Sequence, residues 1–183
     1  MTDYAALNRI LPRLSHAQAT AAWDREVVPL LVALWADDYV QRVATCELLE
    51  TSVGGFSYLF DVSTGRLVAA WGISQGKSTI PRKEIATRMR GHPLSNGGTY
   101  HRGHAIPHTL GGSTDINLVP QLGKINSGPF QALERLAVSH AGALYFTYWL
   151  YGPGDSQVPV GVEQGLLMPG ATACTFERKT FAN

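Results

Sequence analysis

YHRGHAIPHTLGGSTDINLVPQLGKINSGPFQALE, residues 100–134, is the stretch on which the fold turns. Tyr100 to Ile106 predicts a strand, and a loop with a tight Gly111-Gly112 turn follows it. Asn117 to Pro120 predicts a second short strand. Pro129 suits the first position of a helix expected to run to Ser139, with Gly142 as its C-cap. Phe130, Leu133, Leu136 and Ala137 fall on one side of that helix, which gives it a face to bury. The segment therefore reads as two strands followed by a helix.

The polar residues are placed for chemistry. Arg102 and His104 are two apart, so on a strand they point the same way. Asn126 lies just ahead of the helix, and its carboxamide oxygen is a hard donor suited to Mg²⁺, an ion that often takes only one or two protein ligands. Glu134 lies about two helical turns farther on, where it could reach the water shell of such an ion or pin Arg102. Phosphodiester hydrolysis needs a base to activate water, a cation to neutralise the phosphate and a donor to hold a non-bridging oxygen. His104, Asn126 with its ion, and Arg102 are one candidate for each. His108 is a rival base whose expected role is substrate contact or loop structure, and Asn126 also suits a plain helix-start position.

Outward from this segment, residues 143–151, 158–168 and 172–178 read as strands, and Gly152-Pro153-Gly154-Asp155 as a turn. Upstream, Phe56 to Asp61 and Leu67 to Ile73 form a predicted hairpin across Ser63-Thr64-Gly65, with Gly54-Gly55 ahead of it as a bend or bulge. A short helix is expected near Glu84 to Arg90. Residues 1–45 read as a helical segment that packs on a 46–183 domain. Ser15 to Gln18 resembles a capping box, and Trp23, Val27, Leu30, Leu31, Leu34 and Trp35 form one apolar stripe. Pro29 either kinks this helix or starts a second one.

The chain has 183 residues, 45% of them apolar and 16% charged, which is globular composition. The longest apolar stretch, near Val27 to Ala36, falls far short of the ~20 residues of a membrane span. No signal peptide is read at the N-terminus, so the expectation is a cytoplasmic protein or one exported by a non-classical route. Cys46 and Cys174 are expected to be separate thiols. Net charge is only +1. Within residues 66–104, however, Arg66, Lys77, Arg82, Lys83, Arg88, Arg90 and Arg102 face Glu84 alone, the pattern of a localised phosphate-binding surface.

His101-Arg102-Gly103-His104, Asn117-Leu118-Val119-Pro120-Gln121, Asn126 and Glu134 together resemble the DNA/RNA non-specific endonuclease family. Its hallmark reads Asp-Arg-Gly-His, then Asn-x-x-Pro-Gln, then an Asn and a Glu on the following helix. The Gly-His-Ala-Ile-Pro, Leu-Gly-Gly and Asn-Leu-Val-Pro-Gln elements are closest to the branch of bacterial toxins, and the wider HNH group is similar. The likeness covers about 35 residues. It implies an α+β chain with a ββα-metal (His-Me finger) core, at residues 100–140, on an antiparallel sheet. It implies His104 as general base, Asn126 as the direct Mg²⁺ ligand (Mn²⁺ or another divalent ion substituting), and Glu134 beside the ion. Arg102 would bind the scissile phosphate, Asn117 would fix the His104 region, and Arg88, Arg90, His108 and Gln121 would contact substrate. Implied partners are DNA, with RNA left open, and a cognate inhibitor or immunity protein. The implied activity is endonucleolytic with little sequence preference, leaves 5′-phosphate ends, suits an antibacterial effector, and falls below the nominal histidine pKa of ~6.5. One departure stands out: His101 replaces the family's Asp. A catalytically weak nucleic-acid-binding domain and a structure-specific HNH endonuclease are the competing readings.

Overall fold

The computed structural model describes residues 2–81 and 99–183, the side chain of His16 excepted. The expected helix near Glu84 to Arg90, with Arg88 and Arg90, lies outside the described residues. The chain opens with helices α1 (Leu7–Ile10), α2 (His16–Ala22) and α3 (Val28–Arg42). Strands β1 (Leu48–Val53), β2 (Phe56–Asp61), β3 (Arg66–Ile73) and β4 (Tyr100–His104) follow, then β5 (Leu118–Leu122). Helices α4 (Gly123–Asn126) and α5 (Phe130–Ser139) precede β6 (Leu144–Leu150), β7 (Gly161–Met168) and β8 (Thr175–Ala182).

Six strands form one antiparallel sheet in the order β1-β2-β3-β6-β7-β8, and β4 pairs with β5 in a separate two-stranded sheet. The large sheet is a plate with two apolar faces. Trp35 of α3 lies 5.0 Å from Phe146 and 5.6 Å from Trp71, ring centre to ring centre, so the N-terminal helices cover one face. On the opposite face Thr147 Oγ1 donates to the carbonyl of Ala105, and Phe130 of α5 stacks on Trp149. The ββα unit of β4, β5 and α5 therefore packs on the second face, giving three layers.

In the N-terminal layer Trp23, Val27, Leu31, Trp35 and Tyr39 recur every four residues and are fully buried, whereas Leu30 and Leu34 are only partly buried. Pro29 sits in the first turn of α3, as the reading that it starts a second helix expects, and a π-helical turn at Trp23–Val27 leads into it. Thr2 and Tyr4 tie the chain start to the sheet, donating to the buried Glu163 carboxylate from the Thr2 amide (3.0 Å) and the Tyr4 hydroxyl (2.8 Å).

Strand β1 is a correction to the sequence reading. Its side chains are half to fully exposed, so it carries no alternation to read. What fixes it is the turn that the sequence suggested was a bend or bulge. Val53 pairs with Phe56 across Gly54 and Gly55, both at positive φ (63° and 84°), the geometry of a two-residue hairpin. Gly142 is also displaced from its expected role: His140 is the C-cap of α5, and Pro129 is the N-cap residue and not the first helical one. Cys46 and Cys174 are free thiols.

Asp61 closes the β2–β3 turn. Burial alone would raise its carboxyl, but donors from Ser63, Thr64, the Glu47 amide and the Tyr39 hydroxyl hold it well below the usual carboxylate range. The lowered value means that the ionised form is favoured by the fold. Its contribution is present above the unfolded pKa of ~3.9 and is lost as the pH falls toward the folded value. Asp61→Asn should cost about 3 kcal/mol at pH 7, read as a lower urea midpoint. The gap to the parent should narrow as the pH is taken below about 4.

Candidate active site

The ββα unit builds an open cleft of ≈ 840 Å³. Its floor is β4, from which Arg102 and His104 both face into the cleft, as their two-residue spacing predicts. One wall is α4 and α5. Asn126 ends α4, a single helical turn just ahead of α5, and Glu134 lies on α5. Gln131, Glu134, Arg135 and Val138 follow at steps of three and four residues, a stripe beside the buried Phe130, Leu133 and Ala137. The far end is closed by His108 with Thr109, and by Lys77. The structure thus brings His104, Arg102, Asn126, Glu134 and His108 to one cavity.

The connection between β4 and β5 is held by Asn117, which is fully buried. Its Oδ1 accepts from the Ile106 amide at 2.7 Å, and its Nδ2 donates to the carbonyls of Ile106 (2.7 Å) and Ser113 (2.8 Å). The side chain is committed to the backbone just after His104 and does not line the cleft, so it positions that segment and does not touch substrate. Gly112 leaves room for it, since a Cβ there would stand 2.8 Å from Nδ2.

Gln121 is a correction. It was expected to contact substrate, but it is fully buried. Strand register gives the reason. Gln121 pairs with His101, so it shares a face with His101 and Gly103 and not with Arg102 and His104; His101 is exposed and reaches the cleft, whereas Gln121 is covered. Its side chain folds under Gly103, where a Cβ would come within 2.5 Å of the Gln121 Cβ and closer still to Oε1. Among the described residues neither amide atom of Gln121 has a hydrogen-bond partner.

The remaining assignments divide. His101, in the place of the family's Asp, lines the cleft, and its ring packs on Gly123, where a Cβ would stand 2.5 Å from Nε2. Glu134 does not pin Arg102: its carboxylate makes no hydrogen bond or ion pair among the described residues. Burial pushes its pKa up to about 7, with Arg135 opposing only in part. Arg66 leaves the basic surface, because it is buried and donates to the carbonyls of Ser156 and Gly154. Lys77, Arg135 and Gln131 are cleft residues that the sequence did not single out. Lys77 was legible only as one of a run of cations, and Arg135 carried no signal.

Two donors fit a divalent ion. The Asn126 carboxamide lines the cleft, half-exposed and without a hydrogen bond among the described residues. Glu134 is a carboxylate whose anion a nearby cation would stabilise against its burial. No group of three or more His, Cys, Asp or Glu that could hold a metal occurs among the described residues. An ion here would keep most of its water shell, which is the habit of Mg²⁺.

No family model and no curated protein matches the sequence. Solved structures do match the fold. EndoG, in its complex with EndoGI, gives a TM-score of 0.55 at 15% identity, over 73% of this chain and 74% of that one. NucA from Streptococcus agalactiae, solved with no metal bound, gives 0.45 at 13% identity over 81% and 96%. A protein described as an extracellular endonuclease gives 0.40 at 14% over 74% and 69%. The α+β chain with its ββα unit on an antiparallel sheet shares the fold of EndoG.

The close approach of Gly103 and Gln121 is testable. Gly103→Ala should destabilise the chain by about 1–3 kcal/mol through overpacking. Combining it with Gln121→Gly should restore part of the loss, and the double-mutant coupling in chemical denaturation measures the contact. Additive costs would show that the two residues do not meet.

Proposed function

We propose that this chain is a divalent-metal-dependent endonuclease that hydrolyses DNA, with RNA a second polymer to test, and with little sequence preference. The observation that carries the reading is the convergence of Arg102 and His104 on β4 with Asn126 and Glu134 on α4 and α5 in a single cleft. The EndoG-like fold supports it.

In this mechanism neutral His104 takes a proton from water, whose oxygen attacks phosphorus in line. The bond to the 3′ oxygen breaks, leaving a 5′-phosphate on one product and a 3′-hydroxyl on the other. Arg102 holds the phosphate and the charge that grows on it. A divalent ion, Mg²⁺ or Mn²⁺, when held by Asn126 with Glu134 beside it, supplies neutralisation of the phosphate and of the departing oxygen, so no strong acid is required. Gly103 and Asn117 keep the floor in place.

The reading extends to an effector held in check by an inhibitor protein. Its support is the toxin-like Gly-His-Ala-Ile-Pro and Asn-Leu-Val-Pro-Gln pattern, and the fact that EndoG was solved in complex with EndoGI as a study of its inhibition.

Plasmid digestion with and without EDTA, run beside His104→Ala, tests the core claim. The parent should cut only with the metal, and the variant should be slower by about 10²–10⁴-fold. Cleavage by His104→Ala at the parental rate would remove the residue from the mechanism. Asn126→Ala should move the Mg²⁺ titration to higher concentration, and an unmoved curve would take Asn126 out of the metal site. Binding of DNA without cutting in Mg²⁺, Mn²⁺ and Ni²⁺ would favour a silent binding domain.

A further inference from the structure

Two cations of the cleft have no part in the chemistry above. Lys77 lies on the segment after β3. The Ser78 amide donates to the Thr109 carbonyl at 2.7 Å, and a Cβ on Gly76 would stand 3.8 Å from the Val138 carbonyl. Lys77 is thereby wedged between the turn after β4 and the C-terminal half of α5. Arg135 stands on the wall itself, its Nη1 at 3.5 Å from Gln131 Oε1, a long contact. Both side chains are exposed, both line the cleft, and neither is ion-paired among the described residues. The backbone beside Lys77 is hydrogen-bonded to the connection that leaves β4, so this side chain enters the cleft from an anchored segment.

The geometry points to Lys77 and Arg135 as the grip on the phosphates that flank the scissile one, a role that rests on the nuclease reading above. The cleft stripe of α5 from Gln131 to Val138 spans seven residues, about 10 Å at 1.5 Å each. Measured along a duplex axis that is about three base-pair steps at 3.4 Å each. Arg102 and His104 face this wall from β4. A strand laid along it meets Arg135 beside the reacting phosphate and Lys77 at the far end. The substrate class this selects is a polynucleotide with phosphates on both sides of the cut, and a mononucleotide ester lacks the outer contacts. Their charge is the part of the site that acts before chemistry, by releasing counterions from the bound backbone.

The test is binding of a fluorescein-labelled 20-base-pair duplex in EDTA, by anisotropy over a range of salt, with the full chain. Lys77→Gln and Arg135→Gln should each flatten the plot of log K against log salt by about 0.9, and the double variant by about 1.8. Lys77→Arg should restore the slope. Arg25→Gln, on the N-terminal helices and outside the cleft, should leave it where it was. Circular dichroism confirms that each variant is folded. Parental slopes in both cleft variants, from a parent that still cuts plasmid in Mg²⁺, would overturn this inference and leave the nuclease reading standing. A parent that neither binds nor cuts would overturn both.

Discussion

The geometry of the cleft rests on a side chain that never enters it. Asn117 gives both ends of its carboxamide to the backbone that leaves β4, and so ties that segment to the start of β5 with three short hydrogen bonds. A buried amide in this state has no tolerance for substitution, because loss of the side chain strands the Ile106 amide and two carbonyls away from water. What it secures is direction. With Ile106 pinned, β4 ends where Arg102 and His104 face the helix wall, and the layer can be pressed against the sheet without the floor twisting.

The sheet supplies the other half of that rigidity. Its β6 strand is buried along its whole length, with alternate residues facing the N-terminal helices and the ββα unit. Thr147, Trp149 and Gln164 turn toward the unit, and Gln164 bonds both the Phe130 carbonyl and the Tyr145 hydroxyl. The start of α5 is therefore fixed to the plate, and Glu134 one turn later inherits its position. That Glu134 is half-buried follows from where the helix must sit.

How much of this could be read from sequence depended on how local each feature is. The motif from Tyr100 to Glu134 was legible because strand period, turn glycines and a helix-opening proline all act within a few residues. Gln121 went astray for want of a register: nothing in the sequence says that it pairs with His101 and not Arg102, and a slip of one residue inverts the face. Strand β1 escaped because its burial is too shallow to leave a pattern, and the Gly54-Gly55 hairpin holds it in place. Lys77 reaches the cleft because its neighbours Ser78 and Gly76 lie against Thr109 and the end of α5, about 30 and 60 residues away. No window along the chain contains that information.

Charge makes the same point in energetic terms. A net charge of +1 spread evenly would give a polyanion no reason to approach. The fold resolves this by sorting. Arg66 is spent inside the protein on two carbonyls and the face of Tyr151, and Arg42 is paired with Asp38. Lys77, Arg102 and Arg135 meet in a cleft where the carboxyl of Glu134 is pushed by burial toward its neutral form. The local sign of the field is thus set by which cations the packing consumes and which it leaves at the surface. On the nuclease reading, a nearly neutral chain can then hold a phosphate backbone at this cleft.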